Sequence, residues 1–193
     1  MAGWAQPIGE AAMRLKLLED ADMNDAQRAV VEATVKGKRG RMPPPTLAWL
    51  HSPEFANRGQ AVGEFIRYDT VFGPRLVEIA ILVTARYWTS HYEWWAHRRL
   101  AVAAGLDAAV IDAIRDGRDP PLADPKARVI YDYAKTLHET KTIPQALHDR
   151  MVALWGARGA VECVGTCGYY GMVSMTLNGF DVGLPDGAVS ELK

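Results

Sequence analysis

The sequence is short of the features that mark several protein classes. It contains two cysteines, Cys163 and Cys167. They lie four residues apart, a spacing at which a helix holds the side chains poorly for a disulfide. This usage favours a reducing, cytoplasmic location. No apolar run reaches the length of a membrane span, because Glu78, Arg86 and His91 interrupt the richest region. The N-terminus also lacks the pattern of a secretory signal, so none is predicted.

Charge of either sign is not in excess. The 193 residues include 22 Lys and Arg against 23 Asp and Glu, which gives a net charge of -1. Basic residues are scattered, except for the run Lys36-Gly-Lys38-Arg39-Gly-Arg41, which is typical of a solvated loop more than of a phosphate site. We therefore expect neither nucleic acid nor a membrane as a partner. With 49% hydrophobic residues, the composition is that of an ordinary globular protein.

The sequence also lacks strand patterns. No window alternates strictly between apolar and polar residues, so no sheet is predicted. Apolar residues recur instead with helical spacing, between recognisable start and stop residues. The start signals are Asn24-Asp25, Ser52-Pro53, Gly73-Pro74, Ser90 and Asp107. The pattern predicts an all-α fold of roughly eight helices.

Three consecutive prolines divide the chain. The segment Arg41-Met-Pro-Pro-Pro45 is predicted to be a stiff, extended connector. We therefore predict that residues 1–45 form an N-terminal helical extension with this connector. Residues 46–193 are predicted to form the main helical domain, starting with a short helix over residues 47–51.

One segment places an acid and a base on the same side of a helix. Glu93 and His97 are four residues apart, about 40° around the helix axis and about 6 Å along it. The same face continues into Leu100 and Ala101, which belong to the apolar stripe expected to meet the core. A titratable pair that points into an apolar interior is costly to bury, and it is a common source of proton-transfer chemistry.

Glu93 has a second explanation. Ser90-x-x-Glu93 matches a capping box, in which the glutamate accepts a hydrogen bond from the backbone N–H of the serine. The sequence supports capping and proton transfer about equally. His97 likewise fits an interior histidine held by Glu93, and Ser90 fits either a cap or a hydrogen-bond donor to a substrate.

Glu78 lies in a segment that is apolar nearly all round, so its carboxylate must be paired, hydrogen-bonded or protonated. The simpler explanation is a first-turn acid that favours the helix dipole and pairs with Arg75. The functional interpretation is favoured because two helices joined by the short turn at residues 88–89 bring facing residues together. Glu78, Glu93 and His97 would then share one site.

Other chemistries have weaker support. Glu93 and His97 could bind a metal with Glu78 as third ligand, but the H-E-x-x-H pattern is missing and no metal site is predicted. A Ser-His-Asp hydrolase would need a G-x-S-x-G elbow, which the sequence lacks. Cys163 and Cys167 are predicted to be core residues.

Several segments together resemble the carboxymuconolactone decarboxylase / AhpD-like family. They are Pro74-Arg-Leu-Val-Glu78-Ile-Ala-Ile-Leu82, Ser90-x-x-Glu93-x-x-x-His97, Ala103-Ala-Gly105-Leu106, Gly168-Tyr-Tyr-Gly-Met172 and Leu177-Asn178. The resemblance covers roughly residues 45–182. It implies an AhpD-like helical bundle that assembles as a homo-oligomer, a trimer or a hexamer, with the site near subunit boundaries.

The sequence departs from both branches of that family. The AhpD-like branch carries C-x-x-C-x-x-x-H, but its cysteine positions are occupied here by Ser90 and Glu93. Peroxide reduction by that cysteine pair is therefore not expected. The decarboxylase branch shows E-x-x-x-H, which Glu93 and His97 match. The segment that follows lacks the Asn-Asn-Gly ending of γ-carboxymuconolactone decarboxylases, so their substrate is not carried over.

The residues and the resemblance together predict a cofactor-free acid/base enzyme, a decarboxylase-like lyase that acts on a small carboxylated or lactone-type compound. His97, with an ordinary pKa of about 6.5, would deliver the proton while Glu93 orients it and Glu78 acts as a second acid. The candidate substrate-binding residues are Arg67, Arg75, Arg86, Ser90 and His51. The rival hypotheses are an AhpD-like, peroxidase-related antioxidant protein and a non-catalytic oligomer that binds a small molecule.

Overall fold

The computed structural model describes residues 13–193, so the first twelve residues of the predicted extension lie outside this part of the chain. Within it the backbone forms eight helices and no strand, which confirms the predicted all-α class. The helices are α1 (Asp25–Lys36), α2 (Pro44–Trp49), α3 (Pro53–Tyr68), α4 (Gly73–Tyr87), α5 (His91–Ala103), α6 (Ala108–Arg115), α7 (Pro125–Thr140) and α8 (Gln145–Gly179). No described helix is long and apolar enough to cross a membrane.

Local signals explain where most helices begin. Asn24 and Gln27 form a reciprocal capping box at the start of α1, with bonds of 2.9 and 3.0 Å. Asp107 caps α6 by accepting a hydrogen bond from Ala109 N–H at 2.8 Å. Helices α2, α3, α4 and α7 have proline in their first turn, where its missing N–H costs no intrahelical bond.

The proline connector is shorter than predicted. Helix α2 begins at Pro44, so the last two prolines belong to its first turn and not to an extended segment. Their fixed φ angle suits the start of a helix as well as it suits an extended chain, and the sequence alone did not separate the two.

Helix α8 contains a break. At Gly156 the backbone has φ 71° and ψ 175°, outside the helical region, and helical structure continues on both sides. The sequence pattern likewise predicts two separate helices here, from Pro144 to Trp155 and from Ala157 to about Phe180. Glycine adopts this conformation at little cost because it has no Cβ.

Helix α4 is the centre of the domain. It packs against α3, α5, α6, α7 and α8. Ile79, Ala80, Ile81 and Leu82 are fully buried, as its nearly uninterrupted apolar sequence predicts. Glu78 therefore enters the interior with the helix that carries it.

The short helix α2 lies against the C-terminal helix. The indole N–H of Trp49 donates a hydrogen bond to Thr176 Oγ1 at 2.9 Å, and its ring packs edge-on against Tyr169. Gln27 of α1 donates to the backbone oxygen of Leu50 at 3.0 Å. These contacts place the segment that precedes α2 beside α5 and α8.

The packing of α4 leads to a stability prediction. Replacing the fully buried Ile81 by Ala should lower the free energy of unfolding by about 2–5 kcal/mol, because the cavity is only partly refilled. Chemical denaturation would measure the change. The control is Val102→Ala at a side chain that is 51% exposed, which should change stability by less than about 0.5 kcal/mol. Equal losses in the two variants would contradict this assignment of the core.

Candidate active site

Three titratable side chains meet in the interior. Nδ1 of His97 lies 2.7 Å from Glu78 Oε2, and Nε2 of the same ring lies 2.9 Å from Glu93 Oε1. The three side chains are only 5–6% exposed. Glu78 comes from α4, and the other two come from α5. The structure thus brings together the three residues that the sequence analysis placed at one site.

The capping explanation for Glu93 does not hold in the structure. Ser90 is the N-cap residue of α5, but its side chain makes no capping hydrogen bond. The Glu93 carboxylate binds His97 four residues further along the helix. The Ser90 hydroxyl is buried and has no hydrogen-bond partner among residues 13–193.

The arrangement of the imidazole fixes its protonation. Both ring nitrogens of His97 face a carboxylate oxygen, and only an imidazolium donates from both nitrogens at once. Burial alone lowers the pKa of His97, but the charges and hydrogen bonds of Glu78 and Glu93 outweigh it and raise the pKa to about 9. The pKa of His97 is thus above the ordinary value of about 6.5 that the sequence analysis assumed, because two carboxylates stabilise the charged ring. At neutral pH the ring holds a proton that it can give up.

Aromatic side chains complete the surroundings of the ring. Tyr170 meets His97 edge-on, with ring centroids 4.9 Å apart. Burial raises the pKa of Tyr170, on α8, and that of Tyr92, which lies five residues before His97 on α5. Both phenols are therefore neutral near pH 7, and they shield the ion cluster from water without adding charge.

A small cavity of about 40 Å³ borders the cluster. Glu93 and His97 line it, whereas Glu78 lies behind the ring and does not. The other polar residues in the lining are Arg39, Arg67, Tyr92, Tyr169 and Tyr170, and residues 43–45 close one side. The cavity therefore joins an acid/base pair to two cations.

The three candidate arginines lie in three different places, and only one of them lines the cavity. Arg67 lines the cavity beside Glu93 and His97. Arg75 is exposed in the first turn of α4 and does not reach it. Arg86 donates a hydrogen bond to the backbone oxygen of Arg115 at 2.7 Å and borders a different cavity of about 150 Å³.

Sequence reasoning missed Arg39 and Tyr169. The basic run that contains Arg39 was interpreted as a solvated loop, yet its side chain reaches the cavity from outside the predicted main domain. The only feature of the sequence that could have indicated Arg39 is its position close to the three prolines at residues 43–45. His51, in contrast, is exposed, and its Nε2 lies 2.9 Å from the backbone oxygen of Lys16, away from the site.

The triad of Glu78, Glu93 and His97 does not have the geometry of a metal site. Its side chains hydrogen-bond one another in a row and do not converge on a shared point. Across residues 13–193 no group of three His, Cys, Asp or Glu side chains is arranged to hold an ion.

The two cysteines lie elsewhere in the core. Cys163 and Cys167 are at most 1% exposed and do not line the cavity beside His97. A hydrogen bond with Cys167 and burial raise the pKa of Cys163. The same bond, aided by His138 and Thr84 and opposed by burial, lowers the pKa of Cys167 to about 6.

The fold and the cluster of Glu78, Glu93 and His97 define an all-α domain with two carboxylates and an imidazole bonded together in its interior. The chain matches no protein-family model and no curated protein. Its backbone, however, is similar to solved structures. A peroxidase-related protein from Silicibacter sp. TM1040 superposes with a TM-score of 0.74 at 16% identity, over 93% of this chain and 94% of that one.

Two further solved structures have a backbone similar to that of this chain. The peroxidase-related protein from Ralstonia eutropha JMP134, described as an alkylhydroperoxidase AhpD core, has a TM-score of 0.74 at 17% identity, with 94% and 95% of the two chains covered. The debrominase Bmp8, in a variant bound to 2,3,4-tribromopyrrole, has a TM-score of 0.70 at 11% identity, with 94% and 95% covered. Similarity at these identities shows the fold, so the predicted AhpD-like bundle is confirmed.

The geometry predicts how His97 titrates. NMR of the imidazole nitrogens from about pH 5 to about pH 11 should show a pKa near 9, and Glu93→Gln should lower it because one carboxylate charge is lost. Glu54→Gln, at an exposed acid of α3 that pairs with Arg58 and does not line the cavity, is the control and should leave the titration unchanged.

The same shift predicts a pH-dependent stability. The pKa of His97 in the folded state, about 9, exceeds the unfolded value of about 6.5. Its contribution to stability is therefore complete below about pH 6.5 and disappears as the pH rises through about 9. A wild-type pKa at or below 6.5 would contradict the arrangement described here.

Proposed function

We propose that this protein is a cofactor-free acid/base enzyme, a decarboxylase-like lyase that acts on a small carboxylated or lactone-type compound. The observation that carries the proposal is the His97 imidazole bonded by both Glu78 and Glu93 at the edge of a cavity that Arg39 and Arg67 also line. A proton donor beside a cationic anchor is what protonation of a carbanion derived from a carboxylic acid requires.

The reaction consumes one proton for each molecule of CO₂ released. The bond between the substrate carbon and its carboxylate breaks, and the electron pair moves into a conjugated carbonyl to form an enolate. Proton transfer from the enzyme then forms a C–H bond at that carbon. The His97 imidazolium supplies this proton and recovers it from solvent in the next cycle, which its raised pKa favours.

The proton reaches the substrate through Glu93. Both N–H groups of His97 already donate to carboxylates, so neither points freely into the cavity. Glu93 lines the cavity and accepts from Nε2, and its carboxyl group can pass the proton on. Glu78, behind the ring, holds the imidazole in place and stabilises its positive charge. Arg67 is the predicted arginine placed to bind a substrate carboxylate.

The peroxidase-related alternative has less support. Ser90 and Glu93 occupy the positions where the AhpD-like pattern has its cysteines, and Cys163 and Cys167 are buried away from the triad. The debrominase shares the fold with this chain, but at 11% identity its activity is not transferred. A non-catalytic oligomer that binds a small acid is the remaining alternative.

Mutation of the acid/base pair tests the proposal. Release of CO₂ should be measured on a panel of unsaturated lactone acids. His97→Asn and Glu93→Gln should each lower kcat by about 10²–10⁴-fold, because proton delivery is lost. Arg75→Gln is the matched control, since Arg75 is exposed and outside the cavity, and it should retain activity.

The panel also separates the two main hypotheses. Turnover retained in both His97→Asn and Glu93→Gln would contradict proton transfer by this pair. Tight binding of the acids without any product over long incubation would contradict the lyase and favour the non-catalytic binder.

We further propose that the protein is a homo-oligomer, with a second copy packed on an apolar surface stripe of α8. Val161, Val164 and Met175 are 71%, 44% and 53% exposed on one side of that helix. Gly165 and Gly168 lie between them and have open space where a side chain would be. Exposed valines next to glycines without side chains form a surface that can pack against the same surface of a second molecule.

Replacement of the central valine tests this interface. Val164→Glu should shift the mass in light scattering toward the monomer, because a charge would be buried between copies. Val189→Glu introduces the same charge at a residue that is 79% exposed outside α8, and it should leave the mass unchanged. A monomeric wild type, or an unchanged mass for Val164→Glu, would contradict the proposal.

A further inference from the structure

Two guanidinium groups reach the cavity without a carboxylate of their own. Within residues 13–193, neither Arg39 nor Arg67 forms an ion pair. Arg128, which is also partly buried, is neutralised instead, because it bonds both Asp119 and Asp132 at 2.7–2.9 Å. Unpaired cations beside a cavity leave donors available for a ligand.

Arg39 is held in place by Tyr169. The guanidinium has only donors, so the hydroxyl oxygen of Tyr169 accepts their shared hydrogen bond and keeps its own proton for another acceptor. Burial raises the pKa of Tyr169 to about 12, although Arg39 opposes the shift, and the phenol is neutral near pH 7. The Nε of Arg39 is buried and makes no hydrogen bond within the described part of the chain.

Gly63 makes this arrangement possible. It lies on α3, and a methyl group at its position would overlap both the Tyr169 hydroxyl and the Arg39 guanidinium. A glycine within a helix costs about 1 kcal/mol relative to alanine. Because Gly63 has no side chain, it leaves the space through which Arg39 approaches the cavity.

The charges of the site favour a monoanion. Glu78 and Glu93 carry two negative charges, and the His97 imidazolium neutralises one of them. Arg39 and Arg67 add two positive charges. One positive charge therefore remains unmatched, and a singly charged ligand balances it. Guanidinium donors match the geometry of a carboxylate better than that of a compact anion.

We propose that Arg39, together with Arg67 and Tyr169, forms a carboxylate-binding subsite that selects small monocarboxylates for the acid/base pair. The inference rests on the proposed function and deepens it, since it makes the segment before α2 part of the substrate site. Arg39 is a specificity-determining residue, and Gly63 is the positioning residue that admits it.

The size of the cavity adds a structural consequence. A volume of about 40 Å³ holds about one water molecule, so a carboxylate ligand requires the walls to move apart. Arg39 lies between Gly37 and Gly40, and Gly40 has a left-handed φ of 67°. None of residues 37–40 is buried, although the Lys38 N–H donates to Glu64 Oε2 at 2.9 Å, so we expect this segment to be the wall that moves and to carry Arg39 with the ligand.

Direct binding tests the subsite without any turnover. Wild-type protein should be titrated with formate, acetate and benzoate, and with the neutral benzamide, while backbone amide shifts are followed by NMR. We expect carboxylates to bind at least about tenfold more tightly than benzamide. Arg39→Gln should weaken carboxylate binding about tenfold or more, because a charged hydrogen-bond donor is lost. Arg58→Gln, an exposed arginine of α3 that pairs with Glu54, is the matched control.

A second variant leaves every charge in place. Gly63→Ala should weaken carboxylate binding as Arg39→Gln does, because its methyl group displaces the guanidinium. Thermal melts identify any variant that fails to fold. The inference is overturned if no carboxylate binds the wild type, if benzoate and benzamide bind equally, or if a folded Arg39→Gln binds benzoate like the wild type. Failure of the lyase proposal alone would appear as intact binding without CO₂ release.

Discussion

A single imidazole ring bonded on both edges by carboxylates is the constraint on which the rest of the site depends. The ring of His97 is buried, so water cannot solvate its charge, and the two acids must do so. Removal of either acid would leave one ring N–H without its acceptor in the interior. The ion cluster is therefore stable only when α4 and α5 keep their relative position, and the short turn between the two helices maintains it.

The remainder of the fold protects this cluster. Helix α4 is surrounded by five other helices, which fixes Glu78 deep in the bundle. Tyr170 of α8 packs edge-on against the imidazole. The segment before α2 closes the open side and adds the guanidinium of Arg39. The residues of the site thus come from four separate parts of the chain, which are α4, α5, α8 and the segment before α2, and local structure alone would not bring them together.

Local structure was the predictable part of this protein. Asn24 and Asp107 were identified as helix starts because a cap depends on the few residues that follow it. The break at Gly156 was expected for the same reason. The start of α2 was placed too late, since proline fits both an extended segment and the first turn of a helix. The capping box, one of the two explanations that the sequence supported about equally for Glu93, does not form because Glu93 bonds His97 on its own helix.

The sequence by itself determined the helices and singled out Glu78, Glu93 and His97, because the spacing of Glu93 and His97 and the apolar surroundings of Glu78 are local properties. Only the tertiary structure decided which atoms meet. The second carboxylate on His97, and with it the raised pKa, follows from the packing of α4 on α5. The approach of Arg39 depends on the space left by Gly63 on a different helix. Contacts between residues that are distant in the sequence depend on how whole helices pack. A single sequence therefore contains no periodic pattern that predicts them.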